Sequence, residues 1–295
     1  MERKIDVMIV GAQKSGTSSL LRYLGEHPAC LSHLQKEFSC FFDDKEYEQG
    51  FEKALKKFFS HESYTEKTKL ICKNANLYAK EEALKRLKEH NPKCEIIFIM
   101  RHPTDRTYSS FLMEKNAGSA KFEFSELPEL FKKHQEDEIN WGFQYFIEYS
   151  LYAKYLNKIY EYFPKEQVTL LLYEDLRKDA KSVCKKIFQK IKVDETFIPE
   201  VSVVHNLTKK TRSSYYARVL RRLLSNQNPL KKGIKKIISG HAAYHYGEAL
   251  RKINKVDKKH NSMDENVRAF LVELYKPYNE ELAKMIGRDL TFWNK

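Results

Sequence analysis

Short apolar runs alternate with amphipathic segments along most of the chain, and the apolar runs have the length of β-strands. Most of these runs are continuous, a pattern typical of parallel strands that are buried on both faces. Glu95–Met100 shows this pattern most clearly. The predicted strands are Ile5–Val10, Ala29–Ser32, Lys69–Lys73, Glu95–Met100 and Val168–Tyr173.

Helical periodicity characterises the segments between these strands. Strands that alternate with helices predict an α/β fold with a central parallel β-sheet flanked by helices on both faces. Ligands of such folds bind at the carboxyl ends of the strands. The predicted helices are Ser18–His27, Glu46–Phe59, Ala79–His90, Pro103–Lys115, Phe124–Glu138, Phe143–Phe163, Leu176–Ile191 and Asn266–Ile286.

A single domain is predicted over residues 1–295, because this length suits one large α/β unit and no repeat or low-complexity linker divides it. Its core is expected at about 1–200, followed by a basic, mostly helical part at about 201–295. Pro199–Ser214 is predicted to be a loop. The contents of 42% hydrophobic and 13% aromatic residues exclude a disordered chain.

The net charge of +13 is distributed unevenly along the chain, which adds a candidate binding region to the predicted fold. Residues 205–260 contain fifteen Lys and Arg but only two acidic residues, Glu248 and Asp257. Such a region favours a polyanion, a membrane surface or a nucleotide. A solvated, Lys-rich surface is the alternative interpretation for most of these charges.

The cysteines and the apolar runs indicate the cellular compartment of the protein. The five cysteines form no C-x-x-C pair and no metal-ligand spacing. A scattered, odd set favours a reducing compartment. No secretory apolar segment follows Met1–Lys4, and no run reaches the length of a membrane helix. A cytoplasmic location is therefore expected. The cysteines are Cys30, Cys40, Cys72, Cys94 and Cys184.

Candidate chemistry begins in the turn after the first predicted strand, where Gly, Ser, Thr and Lys lead directly into a helix. Glycines allow the backbone to approach an anion, and the N–H groups and dipole of the helix N-terminus face it. The sequence therefore predicts a phosphate or sulfate site, with a glycine turn without a ligand as the alternative. The candidate binding residues are Lys14, Ser15, Gly16, Thr17, Ser18 and Ser19.

The turn differs from the ATP-binding loop known as Walker A. Gly11 and Gly16 have the Walker A spacing, but Thr17 stands where that loop has its lysine, and Lys14 comes earlier. An ATPase uses the hydroxyl after its lysine to hold Mg²⁺. A kinase or NTPase is thus disfavoured but stays open as an alternative.

A second constellation follows the predicted strand Glu95–Met100. Arg101 stands at the strand end, where its guanidinium can bind a phosphate in a bidentate manner. Ser109 follows about two helical turns after Pro103. The alternative is an Arg101–Asp105 ion pair with Ser109 as an ordinary helix residue.

Together the two stretches resemble the sulfotransferases that use 3′-phosphoadenosine 5′-phosphosulfate (PAPS), especially the glycan (heparan sulfate) and bacterial branch. In that family a K-x-G-T loop binds the 5′-phosphosulfate, and here it is Lys14–Thr17. The motif R-x-P-x-x-R-x-x-S binds the 3′-phosphate, and here it comprises Arg101, Pro103, Arg106 and Ser109. The resemblance implies a sulfotransferase fold related to the P-loop NTPases.

Weaker similarities extend over most of the chain. Lys36–Phe42 is similar to the family's K-E-x-x-x-F-F segment, and Lys73–Tyr78 to its K-x-P-x-Y segment, although Ala75 replaces the usual proline. Tyr173–Leu176 and the C-terminal Gly287–Trp293 also match. The basic segment His205–Ser213 resembles the loop that covers the nucleotide, and implies roles in donor binding for Lys209, Lys210 and Arg212.

The implied reaction moves a sulfuryl group from PAPS to an acceptor hydroxyl or amine, leaving 3′-phosphoadenosine 5′-phosphate (PAP) and needing no metal. Lys14 is expected to stabilise the leaving group and Lys73 to steer the acceptor. Glu37 is the candidate base, with a surface salt bridge as the equally weighted alternative, and His33 is the reserve base. A saccharide acceptor is expected, and no nucleic acid.

A non-catalytic polyanion-binding protein is the remaining alternative. Such a protein would use the basic residues 205–260 and would bind polyanions with a steep salt dependence. The acceptor itself cannot be read from the sequence.

Overall fold

The computed structural model describes residues 3–33, 37–59, 64–136, 146–201, 210–211, 255–256 and 262–295. For residues 134–136, 210–211 and 255–256 only the backbone is described. Much of the basic region 205–260 lies outside these ranges, and so do Lys36, Lys209 and Arg212.

Five parallel strands form the central sheet, in the order β2-β3-β1-β4-β5. This confirms the predicted parallel α/β architecture, and β3 and β4 have the predicted bounds. The strands are buried along most of their length, as their continuous apolar sequences require. They are β1 Val7–Gly11, β2 Cys30–Ser32, β3 Lys69–Lys73, β4 Glu95–Met100 and β5 Val168–Leu172.

The central strand β1 lies between β3 and β4. Val7 is in register with Ile71 of β3 and with Glu95 of β4. Strands β2 and β3 lie on one side of β1, and the later strands β4 and β5 lie on the other. The direction in which successive strands are added therefore reverses between β1 and β4. The carboxyl edge at such a reversal is where open α/β sheets bind ligands.

Helices connect the strands and continue after the sheet. In chain order they are α1 Thr17–Gly25, α2 Asp44–Glu48, α3 Phe51–Phe59, α4 Glu81–His90, α5 Pro103–Asn116, α6 Leu127–Glu136, α7 Tyr152–Tyr162, α8 Tyr173–Lys178, α9 Ala180–Lys190 and α10 Glu265–Ile286. Short 3₁₀ turns occur at Leu77–Ala79, Phe124–Glu126, Glu148–Ser150, Lys165–Gln167 and Thr291–Asn294. Among the described residues, none of the helices has the length and apolar character needed to span a membrane.

Local chemistry divides two helices that periodicity predicts as continuous. Glu46–Phe59 becomes α2 and α3 because Gly50 adopts a left-handed conformation with φ 84°. Leu176–Ile191 becomes α8 and α9, since the Asp179 side chain accepts a hydrogen bond from the Ser182 backbone N–H at 2.9 Å and starts a new helix. The single-helix predictions are therefore wrong at these points.

The predicted loop Pro199–Ser214 contains a short strand, β6 Lys210–Thr211. It pairs antiparallel with β7 Lys255–Val256. Backbone pairing between distant segments overrides local sequence here, so the loop prediction is wrong for those two residues.

The chain divides into two compact units that interleave along the sequence. The first comprises Met1–Arg106, Ile147–Asn206 and Val272–Lys295, and it contains the sheet. The second comprises Thr107–Phe146 and Leu207–Leu271. Within the second unit, rings of Phe111, Phe122, Phe124 and Phe146 contact one another.

The first unit has a hydrophobic core between the sheet, α1 and α9. The helices present aliphatic and aromatic side chains to the inner face of β1 and its neighbours, which removes apolar surface from water. Buried members of this core include Val7, Ile9, Leu20, Leu24, Ile71, Ile97, Cys184 and Phe188. This packing holds the loop between β1 and α1 at a fixed place on the sheet edge.

Candidate functional site

The loop between β1 and α1 is held by backbone contacts. The Ala12 N–H donates to Ile99 O of β4 at 2.7 Å, and the Ser15 N–H donates to Ala12 O at 3.2 Å. Lys14 has φ 71° and Gly16 has φ 89°, both left-handed. These conformations turn the chain tightly into the N-terminus of α1, as the anion-site prediction requires.

Close approach of aromatic rings explains the two glycines of the loop. A Cβ atom on Gly11 would lie 2.2 Å from Tyr78 Cδ1. A Cβ atom on Gly16 would lie 2.9 Å from Tyr173 Cδ2. Neither contact is sterically acceptable, so both positions require glycine.

The hydroxyl groups of the loop have different partners. Ser15 and Thr17 are buried. The Ser18 hydroxyl accepts a hydrogen bond from Lys73 Nζ at 3.0 Å. Ser19 hydrogen-bonds Tyr23 one turn along α1. Ser18 is thus joined to the end of β3, whereas the Ser19 hydroxyl is engaged along its own helix.

Lys73 ends β3 with a side chain that is only 2% exposed. Its Nζ donates to Glu37 Oε1 at 2.9 Å as well as to Ser18. A buried ammonium group is stabilised only when charge and hydrogen bonds compensate it, and these two acceptors do so. The predicted residues Lys73, Glu37 and Ser18 therefore form one contact group.

Glu37 is held at both carboxylate oxygens. Oε2 accepts a hydrogen bond from the Ala75 N–H at 2.8 Å, while Oε1 binds Lys73. The neighbouring Phe38 N–H donates to Lys73 O at 2.7 Å, which fastens this segment to the strand end. The Glu37 side chain remains 43% exposed, so the oriented carboxylate is open to solvent on one side.

His33, the reserve base, is 4% exposed and lies among aromatic rings of Phe38, Phe58 and Phe59. Its Nε2 accepts a hydrogen bond from the Lys73 backbone N–H at 3.1 Å. This nitrogen cannot take a proton from an acceptor while it holds the strand end. The geometry therefore favours Glu37 over His33 as the base.

Arg101 follows β4 and contacts the loop directly. Its Nη1 donates to Lys14 O at 3.2 Å, and its guanidinium carbon lies 5.0 Å from the centre of the Tyr173 ring. Asp105 Oδ2 lies 3.9 Å from Nη2, so the alternative ion pair is also present. A carboxylate and a cation–π contact hold the guanidinium beside the loop without covering it.

Tyr152, the first residue of α7, binds the backbone of Arg101. Its hydroxyl donates to Arg101 O at 2.9 Å and lies 3.4 Å from the Arg101 N–H. Burial raises the Tyr152 pKa to about 12, so the phenol stays protonated at neutral pH. Trp293, fully buried, packs near this ring with centroids 6.0 Å apart.

A cavity of about 390 Å³ opens beside Arg101. Three cations and two carboxylates surround it, with the Tyr173 ring at one wall. The Glu174 carboxylate oxygen Oε1 accepts the His102 N–H at 3.0 Å, which fixes the start of α8 to the end of β4. The lining residues are Arg101, Asp105, Tyr173, Glu174, Arg177 and Lys178.

The remaining predicted residues lie elsewhere. Arg106 is fully buried, and its Nε donates to the Ser150 hydroxyl at 2.6 Å, so it is a structural part of the motif. Ser109 lies half-buried on α5, within the second unit. The backbone of Lys210 belongs to β6. The predictions for Lys209 and Arg212 fall outside the described residues.

Sequence reasoning missed two tyrosines of the site. Tyr173 directly follows β5, so the strand-end rule that identified Arg101 also points to it. Tyr152 carries no comparable signal, because its contact with Arg101 joins residues far apart in sequence. Only the folded chain shows this contact.

All five cysteines fall within the described ranges, and each is a buried thiol outside any disulfide. Burial raises the pKa of Cys40 to about 11, so the thiol stays protonated at neutral pH. Within the described residues, His, Cys, Asp and Glu form no group that could hold a metal ion.

Comparison with known proteins shows the family to which the chain belongs. The family model for the sulfotransferase domain matches residues 4–287. The human bifunctional heparan sulfate N-deacetylase/N-sulfotransferase 3 is 25% identical over 97% of this chain and 30% of its own length. The mouse heparan sulfate glucosamine 3-O-sulfotransferase 5 is 24% identical, over 97% of this chain and 73% of its length.

A sulfotransferase from Alicyclobacillus acidocaldarius has a similar solved structure, with a TM-score of 0.66, 19% identity and full coverage of both chains. The chain therefore belongs to the sulfotransferase domain family. It spans about 30% of the length of the N-deacetylase/N-sulfotransferases that it matches.

Proposed function

We propose that the protein transfers a sulfuryl group from PAPS to a hydroxyl or amine of a carbohydrate acceptor. The observation that carries this proposal is the hydrogen bond from Arg101 Nη1 to Lys14 O, 3.2 Å long. It joins the two anion-binding motifs of the sequence at one sheet edge. A donor that carries an anionic group at each end matches two such cationic motifs.

In the proposed step, an acceptor oxygen or nitrogen attacks the sulfur in line with the bridging oxygen. The new bond to sulfur forms as the bond from sulfur to the bridging oxygen breaks, and the electron pair leaves with PAP. Lys14 stabilises the charge on that oxygen, and the loop N–H groups, Thr17 and Ser18 bind the non-transferring oxygens. Positioning and charge stabilisation supply most of the catalysis, as in phosphoryl transfer.

Glu37 accepts the proton that the acceptor loses. Its two oxygens are oriented by Lys73 Nζ and the Ala75 N–H, and each oxygen retains a lone pair for another donor. Its partly exposed side chain can meet an acceptor that arrives from solvent. Lys73 orients this base and helps to steer the acceptor.

Donor binding at the other end involves Arg101 and Ser109, which we assign to the 3′-phosphate. Arg101 has the charge and geometry for a bidentate contact. The basic residues Lys209, Lys210 and Arg212 are proposed to cover the nucleotide, and Ser19 to support the loop. The cytoplasmic location and contacts of residues 205–260 with a membrane or a polyanion stay predictions.

The carbohydrate acceptor is inferred from the relatives, which are named as a heparan sulfate N-sulfotransferase and a heparan sulfate glucosamine 3-O-sulfotransferase. A screen with radiolabelled PAPS tests it. N-desulfated and O-desulfated glycans should accept label, and small phenols serve as the non-carbohydrate comparison. Labelling of phenols alone would contradict the acceptor class but not the donor.

Isothermal titration calorimetry separates the donor proposal from its two rivals. We expect heat of binding with PAP and none with ATP–Mg²⁺ at the same concentration. Binding of ATP–Mg²⁺ but not PAP would favour a kinase or NTPase. Binding of heparin alone, unchanged by Lys14→Ala and Arg101→Ala, would favour a non-catalytic polyanion-binding protein.

A further inference from the structure

The Tyr152 hydroxyl holds the strand end that carries Arg101. It donates to Arg101 O at 2.9 Å, and the Arg101 side chain in turn donates to Lys14 O of the β1–α1 loop at 3.2 Å. The tyrosine is 1% exposed, so solvent does not compete for its hydrogen bond. Tyr152 thus fixes the residue that joins the loop expected to bind the 5′-phosphosulfate to the strand end expected to bind the 3′-phosphate.

The surroundings of the Tyr152 ring restrict its movement. The ring packs against Phe98 of β4, with centroids 6.0 Å apart, and against the buried Trp293 at the same separation. Tyr152 also begins α7, so its backbone is fixed by the first turn of a helix. A buried hydrogen bond from such a rigid group holds its acceptor, Arg101 O, in a defined place.

We propose that Tyr152 is a positioning residue that fixes Arg101 and, through Arg101, the distance between the two anion-binding motifs. It would thereby make the site selective for a nucleotide with phosphates at both the 5′ and 3′ positions. This inference rests on the proposed function. A donor that engages both motifs gains from a fixed distance between them, because no ordering is needed on binding. A nucleotide with a single phosphate gains nothing.

The test compares PAP with adenosine 5′-monophosphate (AMP), which lacks the 3′-phosphate, in calorimetric titrations of the full chain. The variant Tyr152→Phe removes the hydroxyl and retains the ring. Loss of the hydrogen bond to Arg101 O should reduce the ratio of PAP affinity to AMP affinity by about tenfold, the size of one buried hydrogen bond. A purely structural tyrosine would leave this ratio unchanged, even if the variant melted at a lower temperature.

Tyr155→Phe is the matched control, because Tyr155 lies one turn further along α7, is 6% exposed and also packs on aromatic rings. The ratio of PAP affinity to AMP affinity in Tyr155→Phe should equal that of the wild type. If Tyr152→Phe fails to fold, Tyr152→Met removes the same hydroxyl and fills the space with a flexible apolar side chain, and it should reduce the ratio similarly. Unchanged ratios in the folded variants would overturn the inference. A wild-type protein that does not prefer PAP to AMP would instead contradict the proposed donor.

Discussion

Arg101 Nη1 donates a hydrogen bond to the carbonyl oxygen of Lys14 at 3.2 Å, although the two residues follow different strands. The side chain of the residue expected to bind the 3′-phosphate thus touches the backbone of the residue expected to stabilise the leaving group. Changes at Arg101 should therefore affect both binding and catalysis.

Replacing Arg101 with Lys preserves the charge but removes the planar guanidinium group, which can bind a phosphate through two N–H donors and which donates to Lys14 O. PAP affinity should fall by about 100-fold, the size of a lost charge-assisted hydrogen-bond pair. Calorimetry measures this effect. Arg22→Lys, at the half-exposed Arg22 near the end of α1, is the control and should bind PAP like the wild type. Equal PAP affinity in both variants would remove Arg101 from the donor site.

Glu37→Gln retains the size of the side chain and one oxygen that can accept from the Ala75 N–H, but removes the proposed base. Sulfuryl transfer should fall by about 100-fold or more. PAP affinity should stay within about threefold. The measurements are initial rates with labelled PAPS and calorimetric titration with PAP.

Glu46 provides a matched control for this change. It also binds a lysine, Lys57 Nζ at 2.6 Å, and a serine hydroxyl, Ser39 at 2.8 Å. Glu46→Gln should retain the wild-type rate, because its carboxylate lies outside the proposed site. Equal rates in the two variants would show that Glu37 only forms a salt bridge.

Gly16→Ala should destabilise the protein and abolish donor binding. An alanine at φ 89° costs about 1–2 kcal/mol, and its Cβ would also meet the Tyr173 ring at 2.9 Å. Gly50→Ala separates the two effects, since Gly50 has φ 84° and no atom within 4 Å of the added Cβ. Urea unfolding should give a larger loss of unfolding free energy for Gly16→Ala. Equal losses would mean that Tyr173 does not restrict the loop.

Stability should decrease as the pH falls from about 6.5 to about 4, in part because of His90. Burial, with the nearby Lys4 charge, lowers the pKa of His90 from 6.5 to about 4. Between these values the unfolded chain binds a proton that the folded chain does not, so acid favours unfolding. The full effect is about 3 kcal/mol at most.

The variant His90→Gln does not titrate and should show a flatter dependence of unfolding free energy on pH. Denaturant unfolding at pH 7.5 and pH 4.5 measures the difference. The His90 Nε2 accepts the Ile5 N–H at 3.1 Å, so the variant should also be less stable at both pH values. Parallel pH profiles for the two proteins would show that His90 does not contribute to acid sensitivity.

The sequence predicted the sheet well, because a parallel strand buried on both faces requires a continuous apolar run, as in β3 and β4. Helix boundaries were less predictable, since the breaks at Gly50 and Asp179 depend on one backbone conformation and one capping hydrogen bond. Periodicity cannot show either feature.

The candidate site was predictable in part. Lys14 and Arg101 follow strands, so their common sheet edge could be inferred before the fold was known. The contact between Glu37 and Lys73 joins a loop to a buried strand end, and its geometry depends on the Phe38 N–H that fastens the loop. The role of Tyr152 depends on packing between α7 and β4, which no local pattern specifies.

Sulfuryl transfer from radiolabelled PAPS to a desulfated glycan, measured for the wild type and for Lys14→Ala, tests the central claim most directly. The wild type should label the glycan. The variant should still fold and bind PAP, yet transfer at least about 100-fold more slowly, because it loses the charge that stabilises the leaving oxygen. Transfer at the wild-type rate in Lys14→Ala would contradict the proposed mechanism.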